Sequence, residues 1–166
     1  MGLTLIASVW MLIVAPMVAM AAPYAAMVMD ARTGKVLHSR NADTRLHPAS
    51  LTKMMTLFIT FDRIKAGKLK WTDTVRVSKN AARKEPSNLR LRPGDKLTVR
   101  QAVLGLITKS ANDAATALGE KIGGSEKGFA KLMNRKAAQL SMASTAFYNP
   151  SGLPNRHQKS TAHDMA

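Results

Sequence analysis

The stretch HPASLTKMM, residues 47–55, places a serine and a lysine three positions apart at the front of an apolar run. Positions i and i+3 of a helix share a face, so the amine of Lys53 can reach the hydroxyl of Ser50. A serine hydroxyl becomes a good nucleophile only when a neighbouring base takes its proton. The stretch therefore predicts either a nucleophile with its base or a helix start with Lys53 on the surface.

The helix that follows, from Ser50 to Lys65, is strongly apolar. Its apolar residues are Leu51, Met54, Met55, Leu57, Phe58, Phe61 and Ile64. They cover most of the helix circumference, which predicts a largely enclosed helix, and Gly67 is a plausible stop. Enclosure disfavours the charged form of Lys53, and the helix N-terminus favours a developing alkoxide at Ser50.

A second polar element, Ser110-Ala111-Asn112, follows Ser50 by sixty positions. It separates a helix opened by a Thr98–Gln101 capping box from a second helix, Asp113–Ile122. A hydroxyl and a carboxamide two residues apart can face one cleft, where the hydroxyl relays a proton and the amide holds a peptide group. The alternative is a polar loop whose Ser110 or Asn112 caps the next helix.

The remaining segments predict an α+β domain over residues 23–166. Tyr24–Asp30 and Lys35–His38 flank a glycine-containing turn and predict a β-hairpin. A third helix is expected over Glu126–Leu140 with Ser125 as its cap. Residues 75–77 are predicted to be extended, and residues 149–154 to form a structural turn at the rim of the cleft.

Residues 1–22 form a separate segment, because Leu3 to Ala22 carries no charge and ends in small residues. This predicts a signal peptide or membrane anchor, and hence export to the periplasm or cell envelope. A buried helix of the fold is the alternative. No Lys or Arg precedes the apolar run.

Composition restricts the partners. The chain has 25 basic and 10 acidic residues, and nine basic residues between Arg76 and Lys109 meet only Glu85 and Asp95. Such charge favours a membrane surface or an anionic wall polymer, or it is simply a solvated face. Stacking aromatics are missing from this segment, which disfavours nucleic acid. With no cysteine and no tight histidine spacing, neither a zinc site nor a cofactor is predicted.

Three stretches, HPASLTKMMT, LITKSANDAATAL and NPSGLP…STAHDMA, resemble the low-molecular-weight penicillin-binding proteins of the D-alanyl-D-alanine carboxypeptidase type. The resemblance runs from Tyr24 to Ala166 and implies a β-lactamase/transpeptidase-like fold with a helical subdomain and an antiparallel sheet. It implies that Ser50 is the acylated nucleophile, Lys53 the base, Ser110 the proton relay and Asn112 a ligand of the substrate amide. Family members remove the terminal D-alanine from peptidoglycan stem peptides and are acylated by penicillins.

The family's third motif, Lys-Thr-Gly, is absent from this sequence. Arg32-Thr33-Gly34 only mimics it, because the triplet precedes Ser50 and lies in the first hairpin. In the family, the strand with this motif binds the substrate carboxylate and supplies part of the oxyanion hole. We therefore expect this chain to be a fragment of such an enzyme, a truncated gene model or a degenerate copy of it. Without the C-terminal strands of the sheet, much of the apolar face of the helix is expected to be uncovered.

Two alternatives stay open at this stage. A class A β-lactamase shares the first two motifs but needs a glutamate on a later loop, and Glu120 and Glu126, the only glutamates after Asn112, lie outside residues 149–152. A non-catalytic basic envelope protein could bind wall polymer or membrane without chemistry. His47, three residues before Ser50, is interpreted as a loop histidine because no supporting acid or elbow motif accompanies it.

Overall fold

Helices and two small sheets make up residues 23–166, the part of the chain that the computed structural model describes. The predicted leader, residues 1–22, lies outside it. The elements in chain order are β1 (Ala26–Met29), β2 (Val36–Arg40), a 3₁₀ turn (Ala49–Leu51), α1 (Thr52–Lys65), β3 (Thr74–Arg76), α2 (Lys79–Ala82), β4 (Lys96–Thr98), α3 (Val99–Lys109), α4 (Asn112–Gly123), α5 (Glu126–Gln139) and α6 (Ala162–Met165). Among these helices none is long and apolar enough to cross a bilayer.

Strands β1 and β2 pair antiparallel, which confirms the predicted hairpin. The Asp30 carboxylate closes its turn by accepting hydrogen bonds from the Arg32 amide and from the amide and hydroxyl of Thr33. These bonds, led by that of the Thr33 hydroxyl, lower the pKa of Asp30. The Arg32-Thr33-Gly34 triplet is therefore a hairpin turn.

A second antiparallel pair, β3 and β4, places Val75 opposite Leu97 on its buried side and Arg76 opposite Lys96 on its exposed side. The sequence predicts the extended segment of β3, but it does not predict β4 or the short helix α2. Elements of three or four residues are too short to show a period.

Helix α4 is the centre of the helical layer, and every residue from Asn112 to Gly119 is buried. Its small alanine side chains allow α3 and α5 to pack closely against it. Helix α3 begins with the predicted capping box of Thr98 and Gln101, and Ser125 caps α5 as expected. These caps satisfy amide groups that would otherwise lack partners at the helix starts.

The predicted enclosure of α1 is wrong. Leu51, which directly precedes α1, and Met54, Phe58 and Phe61 within it are 42–54% exposed. The buried face instead carries threonines at every fourth position, Thr52, Thr56 and Thr60, beside Met55 and Ile59. The hydroxyls of Thr56 and Thr60 donate to the carbonyl oxygens of Pro150 and Thr56, so burial leaves both satisfied.

The exposure of these residues agrees with the expectation that much of the apolar face of α1 is uncovered in this chain. On α3, Ile107 is likewise 58% exposed.

Candidate active site

Ser50 lies in the 3₁₀ turn that leads into α1, and Lys53 lies in the first turn of the helix itself. The Ser50 hydroxyl is exposed, whereas Lys53 is only 4% exposed. The Lys53 Nζ atom is 3.4 Å from the Ser50 Oγ atom. The structure therefore brings the serine and the lysine together, as the three-residue spacing predicts, with the hydroxyl open to an incoming reactant.

The Lys53 amine is fixed by a second contact, a 2.6 Å hydrogen bond to the Ser151 carbonyl oxygen. Burial lowers the pKa of Lys53 to about 8. The sequence argument attributes such a shift to Leu51, Met54 and Phe58, but these side chains are exposed. That assignment is wrong because the amine extends away from the apolar face, toward the buried Ser151.

The turn at residues 149–152 is built around the Asn149 side chain. Its Oδ1 atom accepts hydrogen bonds from the Ser151 amide and hydroxyl and from the Gly152 amide. Gly152 has a φ of +86°, and a Cβ atom there would overlap the Ala49 carbonyl oxygen. A glycine is therefore required both by the left-handed backbone and by the contact with the residue before Ser50.

The sequence predicts only that this turn lines the rim of the cleft. In the structure its carbonyl oxygens also accept hydrogen bonds from Lys53 and Thr56. The sequence reasoning missed its role in holding the base. The available signal was Asn-Pro-Ser-Gly, an asparagine that can bond to amides two and three residues later, followed by a glycine suited to a positive φ.

Ser110 and Asn112 lie at the junction of α3 and α4. Ser110 ends α3 with a left-handed φ of +51°, and Ala111 precedes α4 without a side-chain cap. The alternative that Ser110 or Asn112 caps the next helix is therefore wrong. Within residues 23–166 the Ser110 hydroxyl forms no hydrogen bond, so it can both donate and accept one.

The Asn112 side chain is oriented by the segment that precedes β4. Its Nδ2 atom donates to the Glu85 carbonyl oxygen at 3.4 Å, and its backbone amide donates to the Ser87 carbonyl oxygen at 2.7 Å. One side-chain N–H and the Oδ1 atom are left to bind a peptide group. Helix α4, which begins with Asn112, packs against α1. No hydrogen bond joins Ser50 or Lys53 to Ser110 or Asn112 in the described part of the chain.

Asp113, which the sequence reasoning treats only as a helix start, is 1% exposed. Its carboxylate accepts hydrogen bonds from the amides of Leu89 and Leu91. It thereby attaches residues 89–91 to the start of α4, next to Asn112. A single buried acid gives no periodic signal in a sequence, so only the structure reveals this role.

A β-lactamase-like hydrolase would need one glutamate near residues 149–152, and neither of the two candidates, Glu120 and Glu126, lies in that turn. Glu120 accepts a hydrogen bond from Asn80, and Glu126 binds Asn80 and Lys84. Both line a cleft beside the α4–α5 pair whose lining does not include residues 149–152. In residues 23–166 no three His, Asp or Glu side chains are grouped to hold a metal ion.

Comparisons with known proteins agree with this geometry. The model of the peptidase S11 family, described as D-alanyl-D-alanine carboxypeptidase, matches residues 14–166. The D-alanyl-D-alanine carboxypeptidase DacF of Bacillus subtilis is 43% identical over 141 residues, which are 85% of this chain and 36% of the relative. The chain thus spans about a third of the length of the curated relatives it matches.

Solved structures show the same fold. The D-alanyl-D-alanine carboxypeptidase DacD from Francisella tularensis aligns with a TM-score of 0.83 and 46% identity, over 86% of this chain and 34% of that one. Penicillin binding protein 5 from Haemophilus influenzae aligns with a TM-score of 0.81 and 35% identity, over 88% of this chain and 44% of that one. The β-lactamase/transpeptidase-like α+β fold expected from the sequence is confirmed.

Proposed function

The chain belongs to the peptidase S11 family of D-alanyl-D-alanine carboxypeptidases, and from that premise we propose that it forms an acyl-enzyme at Ser50. The observation that carries the proposal is the 3.4 Å approach of the buried Lys53 amine to the exposed Ser50 hydroxyl. Burial lowers the pKa of this amine to about 8, so about a tenth of the protein has a neutral Lys53 at pH 7, able to accept a proton, compared with far less than a hundredth for an ordinary lysine.

In the proposed reaction, neutral Lys53 takes the Ser50 proton as Oγ attacks the carbonyl carbon of the penultimate residue. The C–N bond to the terminal residue then breaks, and its nitrogen receives the proton from Lys53 through the Ser110 hydroxyl. Water hydrolyses the Ser50 ester in the second half of the reaction and restores the hydroxyl. Asn112 holds the peptide group of the substrate by its free amide functions.

The proposed substrate is a peptidoglycan stem peptide that ends in D-alanyl-D-alanine. The names of the Bacillus subtilis and Francisella tularensis relatives support this substrate. Penicillins are proposed as covalent inhibitors of Ser50, supported by the name of the Haemophilus influenzae protein. The β-lactamase and the non-catalytic alternatives gain no support from the family.

We also propose that the protein works in the cell envelope, as a peptide of the wall requires. The uncharged run from Leu3 to Ala22 supports export as a signal peptide or anchor, and the net charge of +15 supports contact with an anionic membrane or wall surface. Fractionation of cells that express the chain tests this location. Recovery in the cytosolic fraction alone would contradict it.

A fluorescent penicillin tests the acyl-enzyme. The full chain should carry the label after denaturing electrophoresis, and Ser50→Ala should carry none. Ser39→Ala, a change in the exposed strand β2, is the matched control and should label fully. Lys53→Met should slow labelling by at least about a hundredfold, because it removes the base. Label that persists in Ser50→Ala would assign the nucleophile elsewhere.

A further inference from the structure

A small recess is lined in part by Ala49, the residue that precedes the proposed nucleophile. It has a volume of about 300 Å³ and is lined by residues that include His47, Ala49, Gly152 and Arg156. Ala49 is the residue before Ser50, and Gly152 follows the carbonyl that holds Lys53. The recess therefore opens one residue away from the nucleophile, and its size suits a single side chain or chain terminus.

The charge of this recess is positive. None of its nine lining residues is acidic, and the Arg156 guanidinium is among them. A second cation, the Lys159 ammonium, contacts the His47 Nε2 atom at 2.9 Å. In residues 23–166 neither Arg156 nor Lys159 forms a salt bridge. Two cations without a carboxylate partner, beside a concave surface, favour an anionic ligand.

The contacts of His47 and His157 show which atoms donate and which accept hydrogen bonds around the recess. The His47 Nδ1 atom lies 2.8 Å from the Gln158 carbonyl oxygen, which can only accept, so Nδ1 carries the proton. Its Nε2 atom therefore offers a lone pair to the Lys159 ammonium. Arg156 donates from Nε to the His157 Nε2 atom at 2.8 Å, which leaves the other guanidinium N–H groups free for a ligand.

The loop with these cations is attached to the active site through Gln158. The Gln158 side chain is 2% exposed, and its Oε1 atom accepts hydrogen bonds from the amides of Tyr148 and Asn149. Its Nε2 atom donates to the Thr52 hydroxyl of α1. Gln158 thus joins the cationic loop to both the turn and the helix that build the active site, which preorganises the recess.

We propose that the recess is a subsite for a carboxylate of the peptide bound at Ser50, with Arg156 as its principal ligand. The inference rests on the proposed function for the identity of the peptide. The carboxylate can belong to a side chain or to the peptide terminus, and both supply the same planar anion that a guanidinium binds through paired N–H groups.

Equilibrium binding to the full Ser50→Ala chain tests this subsite without requiring any acylation. The probes are three acetylated tripeptides that share a D-Ala-D-Ala sequence. One carries D-glutamate and a C-terminal amide, one carries D-glutamine and a C-terminal acid, and one carries D-glutamine and a C-terminal amide. Calorimetric titration compares each acidic peptide with the neutral third, and the tighter of the two identifies the source of the carboxylate.

We expect one acidic peptide to bind about fivefold more tightly than the neutral one, in line with an exposed charge pair. Arg156→Gln, made in the same background, should remove this preference, so that the acidic and neutral peptides bind equally. Arg76→Gln alters net charge equally on the exposed side of β3 and should keep the full preference. Equal binding of all three peptides, or a preference that survives Arg156→Gln, would overturn the subsite.

The outcome is separable from that of the acyl-enzyme proposal. Penicillin labelling of Ser50 tests the nucleophile, whereas the peptide titration uses a chain without it. If the chain is labelled but the titration shows no carboxylate preference, the acyl-enzyme proposal stands and the subsite proposal is wrong. If the titration shows the preference but the chain is not labelled, the subsite proposal stands and the assignment of Ser50 as nucleophile is wrong.

Discussion

Lys53 donates a 2.6 Å hydrogen bond to the carbonyl oxygen of Ser151, a residue 98 positions further along the chain. This contact holds the amine beside the Ser50 hydroxyl with little access to solvent. The local S-x-x-K spacing places the two side chains near each other, but the distant turn fixes their position. The position of the candidate base therefore depends on a tertiary contact as well as on the helix.

Acylation should depend on pH through Lys53. Its pKa is lowered by burial to about 8, and only the neutral amine can take the Ser50 proton. The rate of penicillin acylation should rise tenfold per pH unit well below 8 and level off above it. Stopped-flow fluorescence between pH 5.5 and 9.5 measures the profile. A rate that is constant across this range would contradict Lys53 as the base.

The same lowered pKa predicts a change of stability with pH. The unfolded chain binds the Lys53 proton up to its ordinary pKa of 10.5, whereas the folded chain releases it near 8. Between these values the unfolded state binds more protons, so the free energy of unfolding contributed by this group rises with pH. Thermal melts of the wild type and Lys53→Met measure it. The wild type should gain stability relative to the variant from pH 8 to pH 10, and a constant difference would argue against the shift.

Local rules recovered those parts of the fold that neighbouring residues determine. The first hairpin, the Thr98–Gln101 box and the Ser125 cap each follow from residues within a few positions of one another. The pairing of β3 with β4 does not, because these strands are short and separated by a loop and α2. Their register depends on packing over the core.

The buried face of α1 shows why the site was only partly predictable. Hydrophobicity assigns Leu51 and Phe58 to the interior, yet Thr52 and Thr56 are the buried residues. Burial of threonine is favourable here because Pro150 supplies an acceptor from a distant turn. Ser50 and Lys53 could be named from sequence, whereas the contributions of Ser151, Asp113 and Gln158 required the tertiary contacts.

Gly152→Ala should destabilise the fold and disrupt the site together. The new methyl group would overlap the Ala49 carbonyl oxygen and would also hold a non-glycine residue at a φ of +86°. We expect a loss of about 3 kcal/mol in the free energy of unfolding, measured by urea titration. Gly34→Ala has a similar φ of +72° but open space around its Cβ, so it should lose only about 1 kcal/mol. Equal losses of unfolding free energy in the two variants would show that the overlap with the Ala49 carbonyl oxygen does not destabilise Gly152→Ala.

Asp113→Asn should loosen residues 89–91. The buried carboxylate accepts bonds from the Leu89 and Leu91 amides, and an asparagine would present an N–H₂ group to one of those donors. A loss of about 1.4–3 kcal/mol corresponds to faster hydrogen exchange of both amides by roughly ten- to a hundredfold. Asp95→Asn affects an exposed turn acid, bonded to the Arg92 amide, and should leave Leu89 and Leu91 unchanged. Unchanged exchange in Asp113→Asn would contradict the attachment.

Thr116→Val should stabilise the chain. The Thr116 hydroxyl is fully buried in α4 and has no hydrogen-bond partner among the described residues, so the folded state carries the cost of removing it from water. Replacing the hydroxyl by a methyl group of similar size removes that cost, and we expect a gain of about 1 kcal/mol in the free energy of unfolding.

Thr56→Val is the matched control for this change. It removes the same group from a threonine that is equally buried, but its hydroxyl donates a 2.7 Å bond to the Pro150 carbonyl oxygen. It should therefore cost about 1–2 kcal/mol and leave that carbonyl without its donor. Urea titrations of both variants give the comparison. A loss of stability in Thr116→Val as large as that in Thr56→Val would mean that the Thr116 hydroxyl is hydrogen-bonded in solution.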